Sequence, residues 1–203
     1  MIAIIDYGVG NLFSLKSSFL RVGAETVVTS DPNVIAEAEK IILPGVGAFG
    51  DAIEKLRQSG LDKVVLEEVK KGKKLMGICL GMQLLFERGL EYGAHEGLGL
   101  LKGSVIPMKG EIPEELMIPH IGWNALIMKN EGHPLFKYIK NGDCVYFVHS
   151  FFADGCCDSL IATAEYGREL TAAVAKDNVA GMQFHPEKSG DVGINILKAF
   201  CEW

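Results

Sequence analysis

The first half of the chain repeats one pattern: a short apolar run, then a stretch with helical spacing. The runs are Ile2-Ala3-Ile4-Ile5, Thr26-Val27-Val28-Thr29, Lys40-Ile41-Ile42-Leu43-Pro44 and Lys74-Leu75-Met76-Gly77-Ile78. None alternates strictly between apolar and polar residues, so each predicts a strand covered on both faces. Such strands, separated by helices, form a parallel sheet with helices on either side. The intervening stretches fit. Asn11 to Arg21 sets Leu12, Leu15, Phe19 and Leu20 at helical spacing. Asp31-Pro32 opens a short helix with proline where its missing N–H costs least. Leu61 to Lys71 is a helix stopped by Gly72, and Leu80 to Arg88 reads as one following the fourth strand directly.

Beyond Gly89 the alternation ends. A glycine-rich stretch (Gly93, Gly97, Gly99, Gly103) leads to Ser104-Val105-Ile106-Pro107, and Pro119 to Met128 reads as a strand pair. Cys144 to His149, Leu160 to Ala164, Leu170 to Ala175 and Val179 to Phe184 are further strands. Gly193 to Trp203 is a closing helix with Ile194, Leu197 and Phe200 inward. The expected fold is α/β: a central, mostly parallel sheet, helices on both faces, and added antiparallel strands in the C-terminal half. With no linker, repeat or low-complexity tract, residues 1–203 read as a single domain.

Composition narrows the function classes. Apolar residues make up 48% of the chain and the net charge is −6, which excludes intrinsic disorder. Asp and Glu number 26 against 20 Lys and Arg, which argues against nucleic acid as a partner. No run approaches the ~18–20 apolar residues of a membrane helix. The opening run is too short for a signal peptide. Five cysteines without framework spacing read as reduced thiols of a cytoplasmic protein.

Chemistry concentrates at Gly77-Ile78-Cys79-Leu80-Gly81-Met82-Gln83, where strand meets helix. Glycines around a central cysteine suit a nucleophile elbow, a turn too sharp for neighbouring side chains. A cysteine there lies at a helix N-terminus, which favours its thiolate. The Leu80 N–H then points at a developing oxyanion. A buried structural cysteine is the other reading. A nucleophile needs a base, and the base an orienter. His185-Pro186-Glu187 offers both, at the end of a strand where open α/β sheets place ligands. Alone it reads as a surface His–Glu pair; with Cys79 it reads as a triad. Zinc could use the same three side chains, but the spacing matches no structural zinc pattern, and no metal or cofactor is expected.

Pro44-Gly45-Val46-Gly47 ends the third strand, where its backbone N–H groups can face an anion. Gly8-Val9-Gly10 is rejected as a dinucleotide fingerprint, because the third glycine would fall at Phe13 and no acidic residue closes the second strand. Cys156-Cys157 read as loop residues, and Cys144 and Cys201 as core.

In this order, the P-G-x-G loop, the G-x-C-x-G-x-Q elbow and the late H-P-E resemble the signature of the triad-class glutamine amidotransferases, a family with a flavodoxin-like fold. The match narrows to glutaminase subunits of imidazole glycerol phosphate synthases. Ile4 to Leu12 is similar to their N-terminus, Pro119-His120-Ile121-Gly122-Trp123-Asn124 to their P-H-x-G-W-N segment, Tyr146 to Ser150 to a Y-F-V-H-S strand, and His185 to Gly190 to an H-P-E-K-S-G extension. Phe151 departs from the pattern, where tyrosine is common, and so does the stretch from Phe152 onward.

The resemblance implies that Cys79 attacks the side-chain amide of glutamine, that His185 moves the proton, and that Glu187 orients His185. It implies an oxyanion hole at Leu80 with Val46 or Gly47, and glutamine contacts from Gly47, Gln83, Ser150 and Phe151. The implied partner is a (β/α)₈-barrel cyclase, forming a heterodimer across Pro119, His120, Gly122, Trp123 and Asn124. Trp123 serves equally as a core aromatic on sequence alone, and His120 and His149 read as structural. Glycines beside Val46 permit a peptide flip, so hydrolysis by the lone subunit is expected to be slow. Three alternatives share features of this pattern: a paralogous subunit feeding another synthase, such as one for surface sugars; an inactive docking scaffold; and a cysteine protease or deglycase of related fold.

Overall fold

The computed structural model describes residues 1–203. Its chain order begins β1 (Ile2–Ile5), α1 (Leu12–Arg21), β2 (Thr26–Thr29), α2 (Pro32–Glu37), β3 (Lys40–Leu43), α3 (Phe49–Gln58), α4 (Leu61–Lys70), β4 (Lys74–Ile78) and α5 (Leu80–Gln83). It continues with β5 (Phe86–Gly89), β6 (His95–Glu96), β7 (Leu101–Pro107), β8 (His120–Ala125), β9 (Ile127–Met128), β10 (Cys144–His149), β11 (Phe151–Asp154), β12 (Leu160–Glu165), β13 (Glu169–Lys176), β14 (Val179–Met182) and α6 (Gly190–Glu202).

An eight-stranded sheet in the order β2-β1-β3-β4-β14-β13-β12-β9 forms the centre. Its first five strands run parallel, and β13, β12 and β9 are added antiparallel. Both faces are covered, as the unbroken apolar strands require. Ala3, Ile5 and Leu75 pack with Ile35, Ile53, Leu56 and Val65 of α2, α3 and α4. Ile2, Ile4 and Met76 pack with Leu15, Phe19, Leu197 and Phe200 of α1 and α6. Alternate side chains of β1 thus enter opposite cores. A four-stranded sheet, β11-β7-β5-β6, and the pair β10-β8 stand apart. No helix is long and apolar enough to cross a membrane.

Capping explains several helix ends. The Asn11 side chain accepts from the Ser14 N–H, and Asp31 accepts from Asn33 with Pro32 at the first helical position. Gly72, at φ +95°, follows α4 in the left-handed conformation that ends helices.

Four expectations need correction. The helix after Cys79 is a single turn, and Phe86–Gly89 is a strand. Leu84, Leu85 and Phe86 are all fully buried, and three consecutive buried side chains cannot lie on one stripe of a surface helix. The helix Phe49–Gln58 has no counterpart in the sequence reading. In α6 the inward residues are Ile196, Leu197 and Phe200, with Ile194 half-buried, while in α1 Leu20 is exposed. Cys144 is exposed and Cys201 half-buried, so neither is a core residue; all five thiols are free.

Candidate active site

Three strand ends meet at the carboxyl edge of the parallel sheet: β3 runs into Pro44, β4 into Cys79, and β14 through Gln183 and Phe184 into His185. Because β14 pairs directly with β4, residues 106 positions apart become neighbours. The Cys79 N–H donates to the Met182 carbonyl at 2.7 Å, and the His185 N–H to the Tyr146 carbonyl at 3.0 Å.

Cys79 has φ +54° and ψ −115°, a conformation that costs a side-chain-bearing residue on the order of 1–3 kcal/mol. A nucleophile elbow would need a strained strand-to-helix turn of this kind. The glycines around it are required by packing: a Cβ at Gly77 would meet the Gly81 carbonyl at 2.6 Å, and one at Gly45 would meet the Gly81 nitrogen at 2.6 Å. Leu80 opens α5, so its N–H has no acceptor within the helix. With α5 only four residues long, the dipole invoked for Cys79 is small, and the charge beside the thiol comes from His185 instead.

The His185 Nδ1–H donates to Glu187 Oε1 at 2.8 Å, and both side chains are nearly inaccessible. This fixes the tautomer and turns Nε2 toward Cys79. Burial pulls the His185 pKa down, but its hydrogen bonds to Cys79 and Glu187, reinforced by their charges, outweigh burial and push it up to about 10. The folded chain therefore holds a proton here that an unfolded chain releases near pH ~6.5. The stability from this pair is present in full below that pH and is lost as pH rises through about 10. Urea midpoints of the wild-type chain should fall more steeply between pH 7 and 10 than those of His185→Gln. Parallel slopes would show that His185 is not held protonated.

Around Cys79 lies a cavity of about 360 Å³. Its wall includes Val46, Gly47, Leu80, Gln83, Pro119, Ser150, Phe151 and His185, so residues separated by most of the sequence meet at one place. Gly47 has φ +97° and room on its Cβ side, and Val46 is 43% exposed, leaving that peptide loosely packed. Gln83 Nε2 donates to the Phe151 carbonyl at 3.1 Å and to Gln183 Oε1 at 2.9 Å. Gln183 in turn approaches the Cys79 sulfur at 3.9 Å. Glu91 and Lys188 also line the cavity, and neither was singled out from the sequence. Glu91 sits in a loop with no motif spacing, and the only signal for Lys188 is its place after His185-Pro186-Glu187.

The Pro119–Asn124 segment splits by side. Trp123 is 57% exposed and Ile121 59%, which removes the core reading of Trp123. Gly122 and Asn124 are half-buried on the other face. His120 is buried, so it reaches no partner directly. Met117, Ile118, Ile121 and Trp123 form a run of exposed apolar side chains around Pro119, itself at the cavity wall.

Residues 3–202 match the family model for class-I glutamine amidotransferases, and the chain belongs to that family. Among solved structures it superposes on a crystal structure of a glutamine amidotransferase with a TM-score of 0.75, over 98% of this chain and 100% of that one, at 19% identity. The structure of PurLQS from Thermotoga maritima gives 0.74, over 99% and 97%, at 21% identity. At these identities the likeness is one of fold. Two sequence relatives are nearer and share one name. The chain is 48% identical over 204 residues to imidazole glycerol phosphate synthase subunit HisH of Wolinella succinogenes, covering 100% of this chain and 99% of that protein. It is 50% identical over 203 residues to the same subunit of Caldanaerobacter subterraneus subsp. tengcongensis, covering 100% and 98%.

Proposed function

We propose that this chain is the glutaminase subunit of an imidazole glycerol phosphate synthase. It hydrolyses L-glutamine to glutamate and ammonia, and passes the ammonia to a (β/α)₈-barrel cyclase. There it is used to make imidazole glycerol phosphate and an aminoimidazole carboxamide ribotide in histidine biosynthesis. The observation that carries the chemistry is the buried Cys79–His185–Glu187 array at a strained elbow in the cavity wall. The choice of synthase rests on the full-length relatives. Free thiols and histidine biosynthesis both suit the cytoplasm.

Cys79 supplies the nucleophilic sulfur, and His185, with its bonds to Cys79 and Glu187, is the group that moves the proton. Sulfur attacks the carboxamide carbon of glutamine, and the Leu80 N–H with one from the Val46–Gly47 turn stabilises the oxyanion. His185 Nε2 gives its proton to the departing nitrogen, the C–N bond breaks, and ammonia leaves a thioester on Cys79. Water then attacks the thioester, yields its proton to His185, and the C–S bond breaks, releasing glutamate and freeing the Cys79 sulfur with the proton back on His185. Glu187 keeps the ring oriented throughout. Gln83, Gly47 and the Ser150–Phe151 segment shape the pocket. Glu91 and Lys188 supply one negative and one positive charge, the complement of a zwitterionic amino acid.

Ammonia in water is mostly ammonium and a poor nucleophile, so the product needs a dry route, and the exposed apolar run beside the cavity is where a partner would seal it. Glutamate release should be slow from the chain alone and rise steeply with the cyclase and its acceptor. Equal rates in all three conditions would overturn the coupling, and no release in any would overturn the glutaminase reading. Trp123→Ala should weaken cyclase binding by about 2 kcal/mol or more, roughly 30-fold in Kd, with the chain's own Tm unchanged. An unchanged Kd, measured by titration calorimetry, would move the interface elsewhere.

A further inference from the structure

Two buried histidines stand beside the cavity with no part in the chemistry above. His149 ends β10 and lines the cavity, and His120 lies opposite it on β8. His149 Nδ1 is 2.9 Å from the Phe151 carbonyl oxygen, and its Nε2 is 3.1 Å from His120 Nδ1. His120 Nε2 is 3.5 Å from the Asn124 amide nitrogen. That amide cannot turn round, because it donates to the Glu165 carbonyl at 2.7 Å while its oxygen accepts from the Ala125 N–H at 2.8 Å. The His120 ring is clamped between Tyr166 and Phe147, with centroids 4.1 and 5.0 Å away and planes tilted by 21° in each case.

These contacts admit one arrangement of hydrogens. A carbonyl only accepts, so His149 Nδ1 carries the hydrogen. In a neutral ring its Nε2 is then a lone pair, to which His120 Nδ1–H donates. His120 Nε2 is left as a lone pair facing the N–H₂ of Asn124. Every polar atom is satisfied with both rings neutral. A proton added to His149 Nε2 would force the His120 hydrogen onto its Nε2, against the Asn124 donor. Burial also disfavours charge on both rings, and the neighbouring His120 and His185 charges add to it at His149, against the opposing pull of the Phe151 carbonyl. The Phe151 carbonyl also accepts from Gln83, so it joins the elbow helix to the histidines.

We propose that His149 and His120 form a neutral positioning pair that holds the Phe151 carbonyl, and through it Gln83, in place for glutamine, with their tautomers set by Asn124 on the segment that carries Trp123. This deepens the reading of the cavity as a glutamine site and rests on it. It gives His120, which is too buried to touch a partner, a role through its neighbours. It also gives a displacement of β8 a short path of discrete hydrogen bonds into the pocket.

The test uses the chain in complex with the cyclase. His149→Leu removes the donor to Phe151, whereas His149→Asn keeps an N–H₂ near the position of Nδ1. His149→Leu should raise KM for glutamine at least 10-fold with kcat within about threefold, and His149→Asn should recover most of that loss. Loss of kcat at unchanged KM, or equal KM values for the two variants at equal Tm, would overturn the proposal. If His149→Leu does not fold, His120→Leu reads the same split, with a smaller rise in KM; an unchanged KM there overturns the pair. Imidazole ¹⁵N shifts of the wild-type chain decide the pairing without glutamine. Two Nδ1–H tautomers at neutral pH support it, and an Nε2–H tautomer or an imidazolium at either ring overturns it. Absence of glutamate release from wild type would instead overturn the glutaminase reading, leaving the tautomers to judge the pair.

Discussion

Cys79→Ala is expected to lower glutamate release from glutamine by about 10⁴-fold or more, the scale of losing a nucleophile from a concerted triad. The complex with the cyclase should still run on added ammonium, since the substitution leaves the partner's chemistry untouched. Cys79→Gly should be equally inactive, yet it separates strain from chemistry. Glycine in regular structure is ordinarily less stable than alanine by ~0.5–1 kcal/mol. At φ +54° and ψ −115° the order should reverse, because only a residue without Cβ adopts that conformation freely. Thermal melts should therefore place Cys79→Gly above Cys79→Ala. A higher Tm for the alanine variant would mean that the elbow stores no strain, and residual hydrolysis by Cys79→Ala near the wild-type rate would remove Cys79 from the chemistry.

What the sequence disclosed follows from what each signal measures. β1, β2, β4 and β10 lie where their apolar runs place them. β1 and β4 are buried on both faces and are written as unbroken runs, whereas β2 is half-buried throughout and β10 is buried on alternate residues. The order of the sheet, and the pairing of β14 with β4 that brings His185 to Cys79, is not written in any local pattern. It became legible only because three motifs made chemical sense together. The failures are also local. The turn after Cys79 carries helix-forming residues, but Leu84, Leu85 and Phe86 must all be buried, and tertiary burial overrode propensity. Cys144 heads a strand whose next residue, Val145, is buried, and strand alternation puts the cysteine outside. Glu91 and Lys188 were missed because a charged residue lining a cavity and one on an open surface have the same one-letter code. His120 sits in a segment read as partner-facing, yet β8 turns it inward and sends Ile121 and Trp123 out.

Gly81→Ala should be among the most damaging single-carbon changes in the molecule. Its Cβ would collide with the carbonyl group of Leu43 and press on the backbone of Pro44, while Gly45 already lies against the Gly81 nitrogen and Gly77 against the Gly81 carbonyl. Backbone meets backbone at each contact, so no side chain can rotate away. Accommodating a methyl group means separating the end of β3 from the start of α5, and these two loops carry the Val46–Gly47 turn and Cys79. Destabilisation should reach about 3 kcal/mol or more, the upper range for overpacked sites. A protein that survives the change should have lost the oxyanion geometry along with stability. Gly47→Ala is the contrasting case. Its Cβ meets nothing, and the cost is only that of φ +97°, on the order of 1–2 kcal/mol, while the oxyanion turn loses freedom. The expected pattern is thus a large loss of urea midpoint for Gly81→Ala and a small one for Gly47→Ala, with glutamine hydrolysis falling in both. Equal midpoints would mean that the two loops are not held by close backbone packing, and that something other than these glycines brings the nucleophile and the oxyanion turn together.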